Sequence, residues 1–107
     1  MIFSITSNPP SDLKVEVDNF FRSSSALHKD PESGTQGTIL LGKVTKGTLQ
    51  SGKEIQLIIG EKKIVDTVVR IEIEGCKRDS VSKGEIGICL KKTTVEQLAK
   101  DFGLQSM

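Results

Sequence analysis

The residues best suited to chemistry in this chain are lysines set between glycines. Gly42-Lys43-Val44-Thr45-Lys46-Gly47 puts two ammonium groups three positions apart in a glycine-bounded segment. A lysine in such a place attracts phosphate as a point charge, without the bidentate geometry of arginine. Lys62, Lys63, Lys77, Arg78 and Lys83 extend the basic set; their competing role is to keep hairpin tips and sheet edges soluble. Twice the spacing imitates a P-loop, in Gly37-x4-Gly42-Lys43 and Gly47-x4-Gly52-Lys53. A P-loop needs a hydroxyl after the lysine for magnesium and a helix whose first turn faces the phosphate. Val44 and Glu54 follow instead, with strand-like sequence after each, so no nucleotide site is expected.

Other reactive residues are few. His28, the only histidine, lies near Ser23, Ser24, Ser25 and Asp30, but a nucleophilic triad is defined by geometry that this spacing does not imply. A solvated loop histidine is the reading adopted. No carboxylate pair, metal cluster or nucleophile motif occurs at working spacing. The expectation is therefore no enzyme, no cofactor and no metal. Cys76 falls in a turn-like segment and Cys89 inside the apolar run from Ile86 to Leu90, and no motif pairs them. The N-terminus lacks the basic region and long apolar run of a signal peptide, and no apolar stretch approaches the ~20 residues a membrane span needs. A cytoplasmic protein with reduced thiols and no membrane contact is expected.

These side chains must be positioned by short strands. Ile39 to Val44 and Ile55 to Ile59 are apolar, β-branched and cut by glycine at 37, 42, 47, 52 and 60, the pattern of buried strands. Leu13-Lys14-Val15-Glu16-Val17 alternates like a strand with one wet face; Phe20-Phe21 breaks that alternation, which predicts a bulge or the strand's end. Met1 to Ser11 holds a brief apolar opening before Pro9-Pro10 and reads as a strand or a loose tail. Residues 22–36 carry Ser, charge, Pro and Gly without period, so a long loop is expected. Gly60-Glu61-Lys62 reads as a turn. Beyond it Val69, Ile71 and Ile73 are expected to face inward, with Arg70, Glu72 and Glu74 outward. Residues 75–83 form a polar loop and Gly84 to Leu90 a closing strand.

Thr93 to Glu96 and Thr94 to Gln97 both have capping-box spacing. Val95, Leu98, Ala99 and Phe102 share one helical face, and Gly103 supplies a stop. A helix this short is not stable alone in water, so its stripe is expected to cover an open end or an edge of the barrel, with partner binding as the other option. The predicted organisation is a single domain: an N-terminal extension at 1–12, a small closed antiparallel β-barrel of about six strands at 13–92, and a C-terminal helix at 93–103.

The 107 residues suffice for one independent core. Four Phe with no Trp or Tyr count against a platform that stacks nucleobases. Net charge is only +1, yet residues 37–92 hold 11 Lys/Arg against 7 Asp/Glu. Such an excess supports phosphate contacts, and with acids interleaved it also suits an ordinary solvated surface.

Gly37-Thr38-Ile39, Gly42-Lys43-Val44, Gly47, Leu49, Gly52-Lys53 and Ile55, together with Gly84-Glu85-Ile86-Gly87 and Leu90, resemble the second, β-barrel domain of translational GTPases such as elongation factor Tu. The likeness runs from about Val15 to Leu90, with lysine at positions 43 and 46 where the family usually has arginine. It implies an all-β barrel that contacts ribosomal RNA, the acceptor end of transfer RNA or neighbouring domains, the chemistry belonging to a GTPase domain outside these residues. The expected function is thus a non-catalytic, translation-factor-like barrel that binds RNA, the ribosome or a translation-factor complex. Lys43, Lys46, Lys62, Lys63, Lys77, Arg78 and Lys83 are its candidate RNA-binding residues. The alternative is a protein–protein interaction module using the 22–36 loop or the C-terminal helix.

Overall fold

Alternation in the sequence becomes alternation across a barrel wall. In Lys14-Val15-Glu16-Val17 both valines are fully buried, while Lys14 is exposed. A computed structural model describes residues 2–23, 29–30 and 35–102. Its strands are β1 (Phe3–Ser7), β2 (Lys14–Arg22), β3 (Lys29–Asp30), β4 (Thr35–Gln36), β5 (Thr38–Lys46), β6 (Leu49–Gln50), β7 (Glu54–Ile59), β8 (Lys62–Ile73), β9 (Cys76–Arg78), β10 (Ser80–Val81) and β11 (Gly84–Leu90). One helix, α1 (Val95–Phe102), follows. The order β11-β5-β2-β1-β7-β8 is closed by pairing of β11 with β8, giving a six-strand antiparallel ring. Closure leaves the six strands no free barrel edge. β9 extends β8 beyond the ring, β6 pairs with β10, and β3 pairs with β4.

Each wall strand sends at least one fully enclosed side chain inward: Ile5, Val15, Leu40, Leu57, Ile71 and Ile88. Two glycines allow the close approaches this wall needs. A Cβ on Gly42 would collide with the Glu16 carbonyl oxygen of β2, and one on Gly47, at φ +73°, would lie 2.8 Å from Leu13 Cα. Gly42-Lys43 therefore sits inside a strand and Gly52-Lys53 leads into another, so neither P-loop look-alike opens a helix.

The barrel begins earlier than the predicted 13–92 span, because β1 is itself a wall strand between β2 and β7. The loop expected at 22–36 is in part strand: β2 continues to Arg22, and β3 and β4 form a small ladder. The Ser24, Ser25 and His28 positions lie outside the described residues. Two bulges explain where simple alternation misleads. On β2 the register jumps from Val17↔Gly42 to Asn19↔Leu41, leaving Asp18 as the extra residue, so the break precedes Phe20-Phe21. On β8 the partners jump from Cys89↔Arg70 to Leu90↔Val68. Val69 is therefore skipped: it is half-buried, Val68 and Asp66 face inward before it, and Ile71 after it. A bulge adds one residue and so inverts the in/out phase.

The helix closes one end of the barrel. Val95, Leu98 and Ala99 join the core, while Gly103 and the Phe102 side chain lie outside the described set. Of the two overlapping caps, Thr94 is the one used, its hydroxyl accepting from Gln97 N at 3.1 Å. Thr93 instead enters a buried network around Asp66, which is 1% exposed. The Asp66 carboxylate accepts from Thr67 N (2.7 Å), Lys92 N (3.0 Å), Thr93 N (2.7 Å) and the Thr93 hydroxyl (2.6 Å). The Thr93 carbonyl accepts from the Thr38 hydroxyl at 2.6 Å. Arg22 pairs with Glu96, and Lys62 with Asp101 at 2.7 Å, which fixes the helix to the rim. Asp66→Ala leaves several buried donors unpaired and is expected to cost about 3 kcal/mol, with Asp66→Asn losing less. Urea unfolding followed by far-ultraviolet circular dichroism, suited to a chain without Trp or Tyr, measures both.

Candidate nucleic-acid interface

The seven cations singled out by sequence do not form one surface. Lys43, exposed on β5, stands directly between Glu16 of β2 and Glu85 of β11. Opposite charges at facing positions attract, so its charge is largely answered within the sheet. Lys62 is bonded to Asp101, and Lys63 stands beside it at the helix-closed end. Lys77 and Arg78 lie on β9, Lys77 facing Glu72 and Arg78 facing Ile71.

Lys46 and Lys83 remain, at the rim away from the helix. A hydroxyl bond of 3.0 Å between Thr48 and Ser82 ties the turn after β5 to the turn before β11, which brings these two lysines to the same end. The structure adds two lysines that the sequence reading passed over. Lys14 is the register partner of Lys46, and Lys53 lines a recess of about 300 Å³ with Asn8, Thr48 and Glu54. Their signal was faint: Lys14 is one polar position in an alternating strand, and Lys53 belongs to the second P-loop look-alike.

Lys14 and Lys46 are the most distinctive pair. Both are exposed, and they face one another across β2 and β5. Thr45 is the extra residue of the local irregularity, and its hydroxyl donates to the Lys14 carbonyl at 3.3 Å. Facing positions place Cβ atoms about 5 Å apart, and like charges so placed repel. The pair borders a shallow recess of about 310 Å³ that also holds Ser4, Thr6, Ser11 and Asp12. Thr6 donates to the Ser11 carbonyl at 3.5 Å, and the Ser7 and Ser11 hydroxyls bond one another. The recess thus offers two ammonium groups and the Ser4 hydroxyl against one carboxylate, a composition suited to a phosphate oxygen.

Comparison with protein-family models and with curated proteins finds no match. The barrel and the rim geometry therefore carry the functional argument. Among the described residues, no group of three or more His, Cys, Asp or Glu is placed to hold a metal ion. No helix there is long and apolar enough to cross a membrane.

The two cysteines are free and differ sharply in environment. Cys76 is exposed at the start of β9, while Cys89 is enclosed on the outer side of β11. Burial, reinforced by the Glu72 charge and only partly opposed by Arg70, pushes the Cys89 thiol from 9.0 up to about 11. In native protein at pH 8, Ellman's reagent is expected to react quickly with one thiol and with the second only on unfolding. Because the folded value lies above the unfolded one, the stability that Cys89 contributes is complete below pH 9. It is lost as pH rises toward about 11. A Cys89→Ala variant should show a smaller loss over that window in urea titrations.

Proposed function

We propose that the chain is a non-catalytic β-barrel module that binds RNA, as part of a translation complex, through phosphate contacts at the Lys14–Lys46 rim. The observation that carries this reading is the facing lysine pair. Two like charges held opposite each other destabilise the sheet slightly, and an anion bridging them removes that repulsion. The Ser4 hydroxyl of the adjoining recess is placed as a neutral donor for the same phosphate, the Thr6 and Ser11 protons being used within the recess. Lys83 and Lys53 on the same rim extend the positive track in two directions.

The glycine pattern that resembles the second domain of translational GTPases supports the translation setting, since that domain type touches RNA and partner domains. With four Phe and neither Trp nor Tyr, affinity in this reading comes from charge rather than base stacking. It is therefore indifferent to sequence and steeply salt-dependent. The α1 variant of the protein-interaction alternative has little to support it, because the apolar stripe of α1 packs on the chain's own core.

The test is a salt titration of RNA binding, by fluorescence anisotropy with a labelled single-stranded oligonucleotide. Lys14→Gln with Lys46→Gln is expected to weaken binding to all sequences alike and to flatten the log–log salt slope by about one unit per lysine. Because both side chains are exposed, thermal stability should change little. Lys43→Gln serves as a control with a smaller effect, since that lysine already faces two carboxylates. If the double variant binds as tightly as the parent at every salt concentration, the rim is not an RNA site. Retention of the chain on native translation complexes before and after ribonuclease tests the setting.

A further inference from the structure

A concavity of about 600 Å³ lies away from the lysine rim. It lies on the outer wall where β2, β5, β11 and β8 run side by side. Its exposed apolar residue is Leu41, 40% exposed, with Ile73, which packs against the core and is half-buried, at its margin. Gly87 keeps the floor open: a Cβ there would come to 3.9 Å from both Ile39 and Leu41 side chains and 3.8 Å from the Glu72 carbonyl oxygen. Phe21, 37% exposed, lies outside the lining, opposite Ile39 and diagonal to Leu41, and continues the apolar surface along β2. An exposed leucine and phenylalanine on neighbouring strands, beside a gap the size of a side chain, form a receptive groove rather than an isolated surface residue.

Charge decides what fits. The lining contributes Asp18, Glu72, Glu74 and Glu85 and no Lys, Arg or His. Arg70 binds Glu72 at 2.6 Å, and Lys43 and Lys77 face Glu85 and Glu72 from outside the groove. Glu74 stands at the turn into β9 with φ +52°, the only described residue other than glycine with positive φ. Glycine or asparagine is the comfortable choice in that conformation, so a glutamate is held at the groove mouth against local preference. A carboxylate-lined apolar groove repels phosphate and suits the opposite partner. Lysine and arginine pair a cationic tip with an aliphatic stem, which can lie along Leu41 while the tip reaches Glu74 at the groove mouth.

We infer that this groove docks a segment of a partner protein that carries arginine or lysine beside aliphatic side chains. The occupant is set by charge complementarity: the rim lysines take an anion, and the groove, on a different part of the surface, takes a cation. The inference does not depend on RNA binding, because the two ligands differ in sign and the two sets of residues do not overlap.

The test uses the full chain and a fluorescent nine-residue peptide built from arginine and leucine. Two control peptides replace every arginine by glutamate or every leucine by serine. The arginine–leucine peptide is expected to bind, and each control to bind more weakly. Glu74→Asn is the informative variant: it removes the charge while giving the left-handed position a residue that accepts it, so it should fold at least as well as the parent. It is expected to weaken peptide binding by about three- to fivefold, the scale of one exposed ion pair. Leu41→Ser should weaken it further without affecting RNA binding. Failure of the parent to bind the peptide overturns the proposal. So does equal binding by the serine control, or binding unchanged in both Glu74→Asn and Leu41→Ser. Self-association of the chain through this face, read as a concentration-dependent mass that Leu41→Ser abolishes, would replace the partner segment with a second copy and also overturn it.

Discussion

One buried carboxylate fastens the parts of this molecule that would otherwise come apart. Asp66 sits on β8 at the seam where the ring closes, and it holds the backbone of Lys92 and Thr93 just after β11. The neighbouring main chain runs along the same seam, with Lys91 N donating to the Thr67 carbonyl at 3.2 Å. Thr93 carries the connection across to Thr38 on β5. Seam, helix and the start of β5 are thus joined by one polar cluster inside an apolar barrel. Such a cluster is stable only when its donors and acceptors are matched. Here four different donor groups converge on two oxygens.

The helix depends on that cluster more than on its own sequence. Eight residues cannot hold helical form in water by propensity. Val95, Leu98 and Ala99 gain their burial because the Asp66–Thr93 bonds deliver the chain to the barrel mouth at the right height. Arg22–Glu96 and Lys62–Asp101 then hold the helix from two sides, with exposed or half-exposed cations whose separate contributions are small. The buried carboxylate and the apolar face therefore both outweigh the ion pairs.

Much of the architecture was legible because it is written in short-range grammar. Glycine between β-branched runs marks strand ends, and alternation marks a wall with one wet face. β5, β7 and β11 fall close to where those signals put them. Elsewhere the deciding fact is which strand lies alongside. Phe3–Ser7 is too brief to declare itself, and becomes a wall strand because β2 and β7 leave a place between them. The phase of β8 inverts at Val69 because β11 has no residue opposite it. The same limit governs the surfaces. Lys43 carries the most suggestive motif position, yet its neighbours are two carboxylates that are 27 and 42 residues away in sequence. Lys14, in no motif, gains its meaning only from facing Lys46. Asp66 reads as one acid in an apolar run, and nothing local tells that its partners arrive from beyond β11.

The position of β1 also bears on how the chain acquires its shape. β1 joins β2 by a short connection, but its other neighbour, β7, begins at Glu54, and the ring is completed only when β11 reaches both β5 and β8. Most wall pairings therefore link distant parts of the chain, a topology of high contact order, whose loop-closure entropy must be met before the pairings return any stabilisation. During synthesis the first strand emerges early and waits, one edge unclaimed, until some fifty residues later its second partner is made. Thr6 and Ser7 place hydroxyls on that waiting strand, and Pro9 and Pro10 follow it after the single residue Asn8, which limits how far a stray strand can extend along it. The same short, polar, proline-bounded strand that was hard to recognise in the sequence is, for that reason, a poor template for wrong pairing.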